Sequence, residues 1–153
     1  MKRVLVLLLA AMLLCGCGEK YEYHPVQSSA IEYTAGDIEL KVSGRGLTGE
    51  TENIVVEVFN NSDQFLVYES YGGPGAIQFF IDGQWCYRVS KQPKNFSTYA
   101  DLYYIGPGES TKKILEVGIL ESGLYRIRAT FWPGDMETIR DQKYYLEYEF
   151  EIE

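Results

Sequence analysis

The chain is poor in the groups that most catalytic chemistries require. It has one histidine, His24, and three cysteines, Cys15, Cys17 and Cys86, which are not spaced as zinc ligands. Imidazole-based triads and thiolate metal centres therefore lack their parts. Positive charge is also scarce: 14 Lys and Arg stand against 22 Asp and Glu, a formal net charge of −8, which repels phosphate backbones and argues against nucleic acid as a partner. No apolar run approaches the roughly 20 residues that a membrane-spanning helix needs. What remains is about one domain's length, 153 residues, 46% of them hydrophobic, with 13 Tyr, 7 Phe and 2 Trp. Such a chain can bury a core, and its totals favour a non-catalytic binding or structural module over an enzyme.

The start of the chain reads as an address. Lys2-Arg3 precedes twelve apolar residues, 4–15, a basic and then an apolar region of the length found in secretion signals. Leu14-Cys15-Gly16-Cys17 resembles the lipobox of bacterial lipoproteins, in which cleavage leaves an acylated cysteine at the new N-terminus. The resemblance implies a signal peptide over 1–16, lipidation at Cys17 with at least a diacylglyceryl group, and an extracytoplasmic protein anchored to the cell membrane or envelope. Two acyl chains suffice for stable anchoring. Loss of Lys2 and Arg3 takes the charge from −8 to −10, so the lipid, not the domain, must hold the membrane. Residues 17–36 read as a flexible tether that, fully extended, reaches roughly 60 Å. His24 lies in it, and Cys86 is the one thiol left in the folded part, 37–153.

From Asp37 onward the period is two. Tyr144, Leu146, Tyr148, Phe150 and Ile152 alternate with Tyr145, Glu147, Glu149, Glu151 and Glu153, which on a strand puts the apolar set against a core and the acids in water. The same alternation, with apolar runs bounded by turn residues, predicts strands at 38–43, 53–59, 64–70, 76–82, 84–90, 111–117, 124–132 and 144–152, with a short one at 101–105. On the strand at 124–132, Tyr125, Ile127, Ala129 and Phe131 face inward and Arg126, Arg128 and Thr130 outward. Asp82-Gly83 suits a two-residue hairpin whose central residues both take positive φ. Seven to nine strands without helical crossovers make an all-β antiparallel sandwich. Leu120, Gly123 and Tyr125 have the Leu-x-x-Gly-x-Tyr form of a tyrosine corner, which favours immunoglobulin-like topology.

Four segments together resemble the bacterial immunoglobulin-like domain, type 14: Val56-Glu57-Val58-Phe59-Asn60-Asn61-Ser62-Asp63, Ile81-Asp82-Gly83-Gln84-Trp85, Ile105-Gly106-Pro107-Gly108-Glu109-Ser110 and Ser122-Gly123-Leu124-Tyr125-Arg126-Ile127. The likeness spans about residues 36–153. It implies an immunoglobulin-like sandwich without established catalytic residues or cofactors, as found in lipoproteins and secreted proteins.

Chemistry beyond binding finds little support. Asp135, Glu137 and Asp141 offer hard oxygens for calcium, but their spacing matches no EF-hand loop, and no metal site or cofactor is expected. The functional signal is aromatic. Trp85, Tyr87, Tyr99, Tyr103, Tyr104 and Trp132 form the candidate binding surface, able to anchor a protein partner or stack on sugar rings. The leading expectation is therefore a membrane-anchored module for protein–protein interaction or envelope structure. A carbohydrate-binding module is one alternative. The other is a proteinase inhibitor, because the strand–NNSD–strand and DG-x-W layout also resembles a bacterial intracellular proteinase inhibitor family.

Overall fold

The computed structural model describes residues 21–26, 37–50, 52–69, 74–90, 101–134 and 143–153. Residues 1–16 read as a signal peptide, Cys17, Tyr99 and the acidic set Asp135, Glu137 and Asp141 lie outside these residues. Ten strands follow in chain order: β1 (Tyr21–Pro25), β2 (Ile38–Ser43), β3 (Asn53–Asn60), β4 (Leu66–Glu69), β5 (Ala76–Ile81), β6 (Gln84–Ser90), β7 (Leu102–Ile105), β8 (Ser110–Glu116), β9 (Gly123–Pro133) and β10 (Tyr144–Ile152). A single 3-10 turn, Arg45–Thr48, links β2 to β3. The strands form two antiparallel sheets, one of three strands ordered β2-β3-β8 and one of seven ordered β1-β6-β5-β9-β4-β7 with β10 on β9.

The alternating apolar residues explain why these layers meet. Ile54, Val56 and Val58 of β3 are fully buried, and so are Ile127, Ala129 and Phe131 of β9. One half of the core joins Ile54 and Val56 to Phe79, Tyr125, Ile127 and Ile152. The other joins Val58 to Leu66, Tyr68, Ile105, Ala129 and Phe131, and Leu40 packs on both. Burying a side chain of this size contributes about 1.5–3 kcal/mol. Strand β9 is the spine: β10 pairs with it over nine positions, β5 with Tyr125–Arg128, and β4 with Trp132 and Pro133.

Local chemistry sets the connections. At the β5–β6 hairpin, Asp82 and Gly83 take φ of 52° and 82°, the left-handed pair that a two-residue turn demands. Where β9 begins, the Tyr125 hydroxyl donates to the Glu121 carbonyl at 2.6 Å, closing the turn at Gly123. Cys86 is free and buried.

Three expectations need correction. The expected all-β antiparallel sandwich is present, with ten strands among the described residues, and the added one, β1, lies inside the stretch 17–36 read as flexible tether. Tyr21–Pro25 pairs with Cys86–Ser90, Tyr23 packs edge-on against Phe79 with centroids 5.4 Å apart, and the Arg88 guanidinium lies 4.6 Å from the Tyr21 ring centre. Five residues ending in proline carry little periodicity, yet an edge position tolerates Pro25, whose missing N–H has no ladder partner to lose. Second, the segment expected from residue 64 enters its strand at Leu66, since Asn60 holds Gln64 in the preceding turn. Third, Arg126 and Arg128 occupy the outer face of β9 as expected, but they are 8% and 5% exposed, for reasons that belong to the site below.

Candidate binding surface

The end of the sandwich where β9 finishes gathers three connections: residues 61–65 between β3 and β4, the 106–109 turn between β7 and β8, and Gly134 after β9. Asn60 ties the first two together. It is fully buried; its Nδ2 donates to the carbonyls of Gln64 at 2.7 Å and Ile105 at 3.0 Å, and its Oδ1 accepts from the Ser62 hydroxyl at 2.6 Å and the Ser62 N–H at 3.1 Å. Its backbone N–H donates to the Glu109 carbonyl, and its carbonyl accepts from Gly108. A buried amide with every group satisfied fixes geometry, because any alternative strands a polar atom. The Glu109 carboxylate in turn accepts from the Gly106 N–H at 2.7 Å. A Cβ at Gly106 would lie 2.8 Å from that carboxylate and 3.4 Å from the Phe65 ring, so glycine there lets the acid and the ring close in on the turn.

This frame presents Phe65, 55% exposed, beside Tyr104, 47% exposed. With Gln64 and Gly134 they line an open depression of about 440 Å³ whose surface is almost wholly apolar. A second depression of about 190 Å³ shares Gln64 and is lined by Asp37, Ser62, Asp63 and Tyr144, among others. An apolar ring platform thus adjoins a carboxylate-bearing hollow on a rigid end of the sandwich. Exposed apolar groups clustered in this way mark contact sites more often than scattered ones do.

The aromatics expected from sequence are dispersed around the molecule. Tyr104 is at this end. Tyr103, its neighbour on β7, points the other way and stacks on Tyr68 with centroids 5.5 Å apart. Trp132 is only 8% exposed, too deep to anchor a partner, and Lys143 Nζ lies 5.2 Å from its ring centre. Trp85 and Tyr87 share the outer face of β6, where Trp85 packs edge-on against Phe80 at 5.1 Å.

Trp85 also takes part in the arrangement that buries the arginines. Arg126 Nε donates to Gln78 Oε1 at 2.6 Å, and Glu147 receives both cations, Arg126 Nη1 at 3.1 Å and Arg128 Nε at 3.2 Å. The Trp85 ring covers the Arg126 guanidinium at 4.3 Å, and Tyr145 covers that of Arg128 at 3.8 Å. Burial lowers the pKa of Arg126, and the Glu147 carboxylate works in the opposite direction. Alternation placed these side chains on the outer face; aromatic lids and a shared acid keep them from water.

Sequence reasoning missed Phe65, Gln64 and the stapling role of Asn60. The signal that could have found them is the pairing of an Asn-Asn-Ser-Asp turn with an aromatic two residues on, outside the alternation of the strand that follows. Among the described residues, no group of three His, Cys, Asp or Glu side chains is placed to hold a metal ion. No helix among them is long and apolar enough to cross a membrane. No protein-family model, no curated protein and no solved structure matches this chain.

Proposed function

We propose that this chain is a lipid-anchored, extracytoplasmic, non-catalytic module of immunoglobulin-like character that binds a protein partner through the end of the sandwich carrying Phe65 and Tyr104. The observation that carries the reading is the pairing of these two exposed rings over an apolar depression, held by the fully satisfied Asn60. Solvent-exposed rings on a pre-ordered frame lose little conformational entropy on binding. The lipobox-like Leu14-Cys15-Gly16-Cys17 supports the anchor, and the Tyr125–Glu121 bond supports the immunoglobulin-like character. Because β1 starts at Tyr21, only four residue steps separate it from Cys17, roughly 14 Å at full extension. The folded body then rides close to the bilayer, not on a leash of tens of ångströms.

Two measurements test this. Mass spectrometry of the membrane fraction should find Cys17 as an acylated N-terminus, and Cys17→Ser should abolish the modification. Photo-crosslinking in envelopes from position 65 should capture a defined protein that is lost in Tyr104→Ser and retained in Tyr148→Ser, an exposed tyrosine on β10. A crosslink pattern indifferent to Tyr104 would overturn the binding assignment.

A further inference from the structure

Resting on the reading that the Phe65–Tyr104 end is the contact site, we propose that the partner presents an extended peptide segment in which an aromatic or aliphatic side chain has lysine or arginine two residues before and after it. Among the described residues the larger depression offers two rings, Gly134, the Gln64 amide and the Tyr104 hydroxyl but no charged side chain, so an apolar group fits it and a charged one would be desolvated there without a counter-ion. Acids stand nearby. Asp37 and Asp63 line the smaller depression that shares Gln64. The Glu109 carboxylate packs against Gly106 beside the Phe65 ring. Among the described residues no lysine or arginine lines either hollow, and the whole chain carries −8.

Neighbours of an apolar side chain seated between Phe65 and Tyr104 therefore meet negative charge. In an extended strand, residues two steps apart rise by about 6.6 Å and point to the same side, so the side chains two positions from the seated group face the surface that carries the carboxylates. Lysine or arginine there gains attraction and steering, whereas glutamate is repelled. A neutral glycan would stack on the rings but leave the charges of Asp37, Asp63 and Glu109 unmatched, and among the described residues the larger hollow gives its hydroxyls only the Gln64 amide and the Tyr104 hydroxyl.

The test is nitrogen-15 NMR of the full chain in detergent micelles, titrated with the blocked pentapeptides KSFSK, SSFSS and ESFSE and with cellotetraose. The lysine peptide should shift the Phe65, Tyr104 and Gly134 amides and bind roughly three- to tenfold tighter than the serine peptide at low salt. That advantage should shrink at about 0.5 M salt and in Asp63→Asn, while the glutamate peptide should bind weakest. Phe65→Ser, which removes an exposed ring and leaves the fold, should abolish all three responses. Equal binding of the lysine and serine peptides would overturn the charge selectivity and leave the apolar contact site standing. No peptide response at these amides would overturn both, and a response to cellotetraose alone would replace the peptide with a glycan.

Discussion

Glu147→Gln isolates the charge that holds two buried arginines. The carboxylate lies 3.1 Å from Arg126 Nη1 and 3.2 Å from Arg128 Nε, and the arginine side chains are 10% and 5% exposed against 34% for Glu147. Glutamine keeps the shape and one acceptor, so the loss reports the charge. Removing one partner from a fully buried pair costs about 3–5 kcal/mol, and from an exposed pair about 0.2–1 kcal/mol. Two contacts to a one-third exposed acid fall between these limits, so we expect about 2–4 kcal/mol. The charge remaining on Arg126 would keep Gln78, the Trp85 ring and the weaker attraction of Glu149, and that on Arg128 would keep the Tyr145 ring among its contacts. Urea unfolding followed by tryptophan fluorescence measures the change, and Trp85 lies directly over the perturbed cation. Glu149→Gln is the control: Glu149 pairs in register with Arg126 but is exposed, and it should cost no more than about 0.5 kcal/mol. Arg128→Met in the Glu147→Gln background should recover part of the loss, because it removes a buried cation that has lost the Glu147 carboxylate. A cost below about 0.5 kcal/mol for Glu147→Gln, or strict additivity with Arg128→Met, would refute the reasoning.

Two further perturbations probe the connections. Tyr125→Phe removes the bond to the Glu121 carbonyl and should cost about 1 kcal/mol at pH 7. The Tyr125 pKa is raised above 10.0, first by burial and then by Glu121. Its contribution is thus complete below the unfolded value and lost as pH climbs through the higher folded one, so the wild-type advantage in urea should narrow in titrations above pH 10. Asn60→Ala removes the amide donor to the carbonyls of Gln64 and Ile105 and the acceptor for Ser62. It should cost about 2–4 kcal/mol and broaden or shift the Phe65 and Tyr104 resonances; an unchanged spectrum would show that the turn does not depend on Asn60.

The strands were legible in the sequence wherever alternation ran for six or more residues, as in β2, β3, β9 and β10. There, apolar groups at every second position can be buried only by an extended chain. The hairpin at Asp82-Gly83 was legible for a comparable local reason, since few residue pairs accept two positive φ angles. Strand β1 was not, because its five residues are held by Arg88 and Phe79, some sixty positions away in the chain. The same distance hid the fate of Arg126 and Arg128. Periodicity assigns a side chain to a face of a sheet, but whether that face is wet depends on what packs over it, here Trp85 and Tyr145 from other strands. For the contact site, the sequence by itself determined that aromatics were in excess and cations few. Only the tertiary structure sorted the aromatics, burying Trp132, turning Tyr103 onto Tyr68 and leaving Tyr104 beside Phe65, because solvent exposure is settled by contacts between residues far apart along the chain.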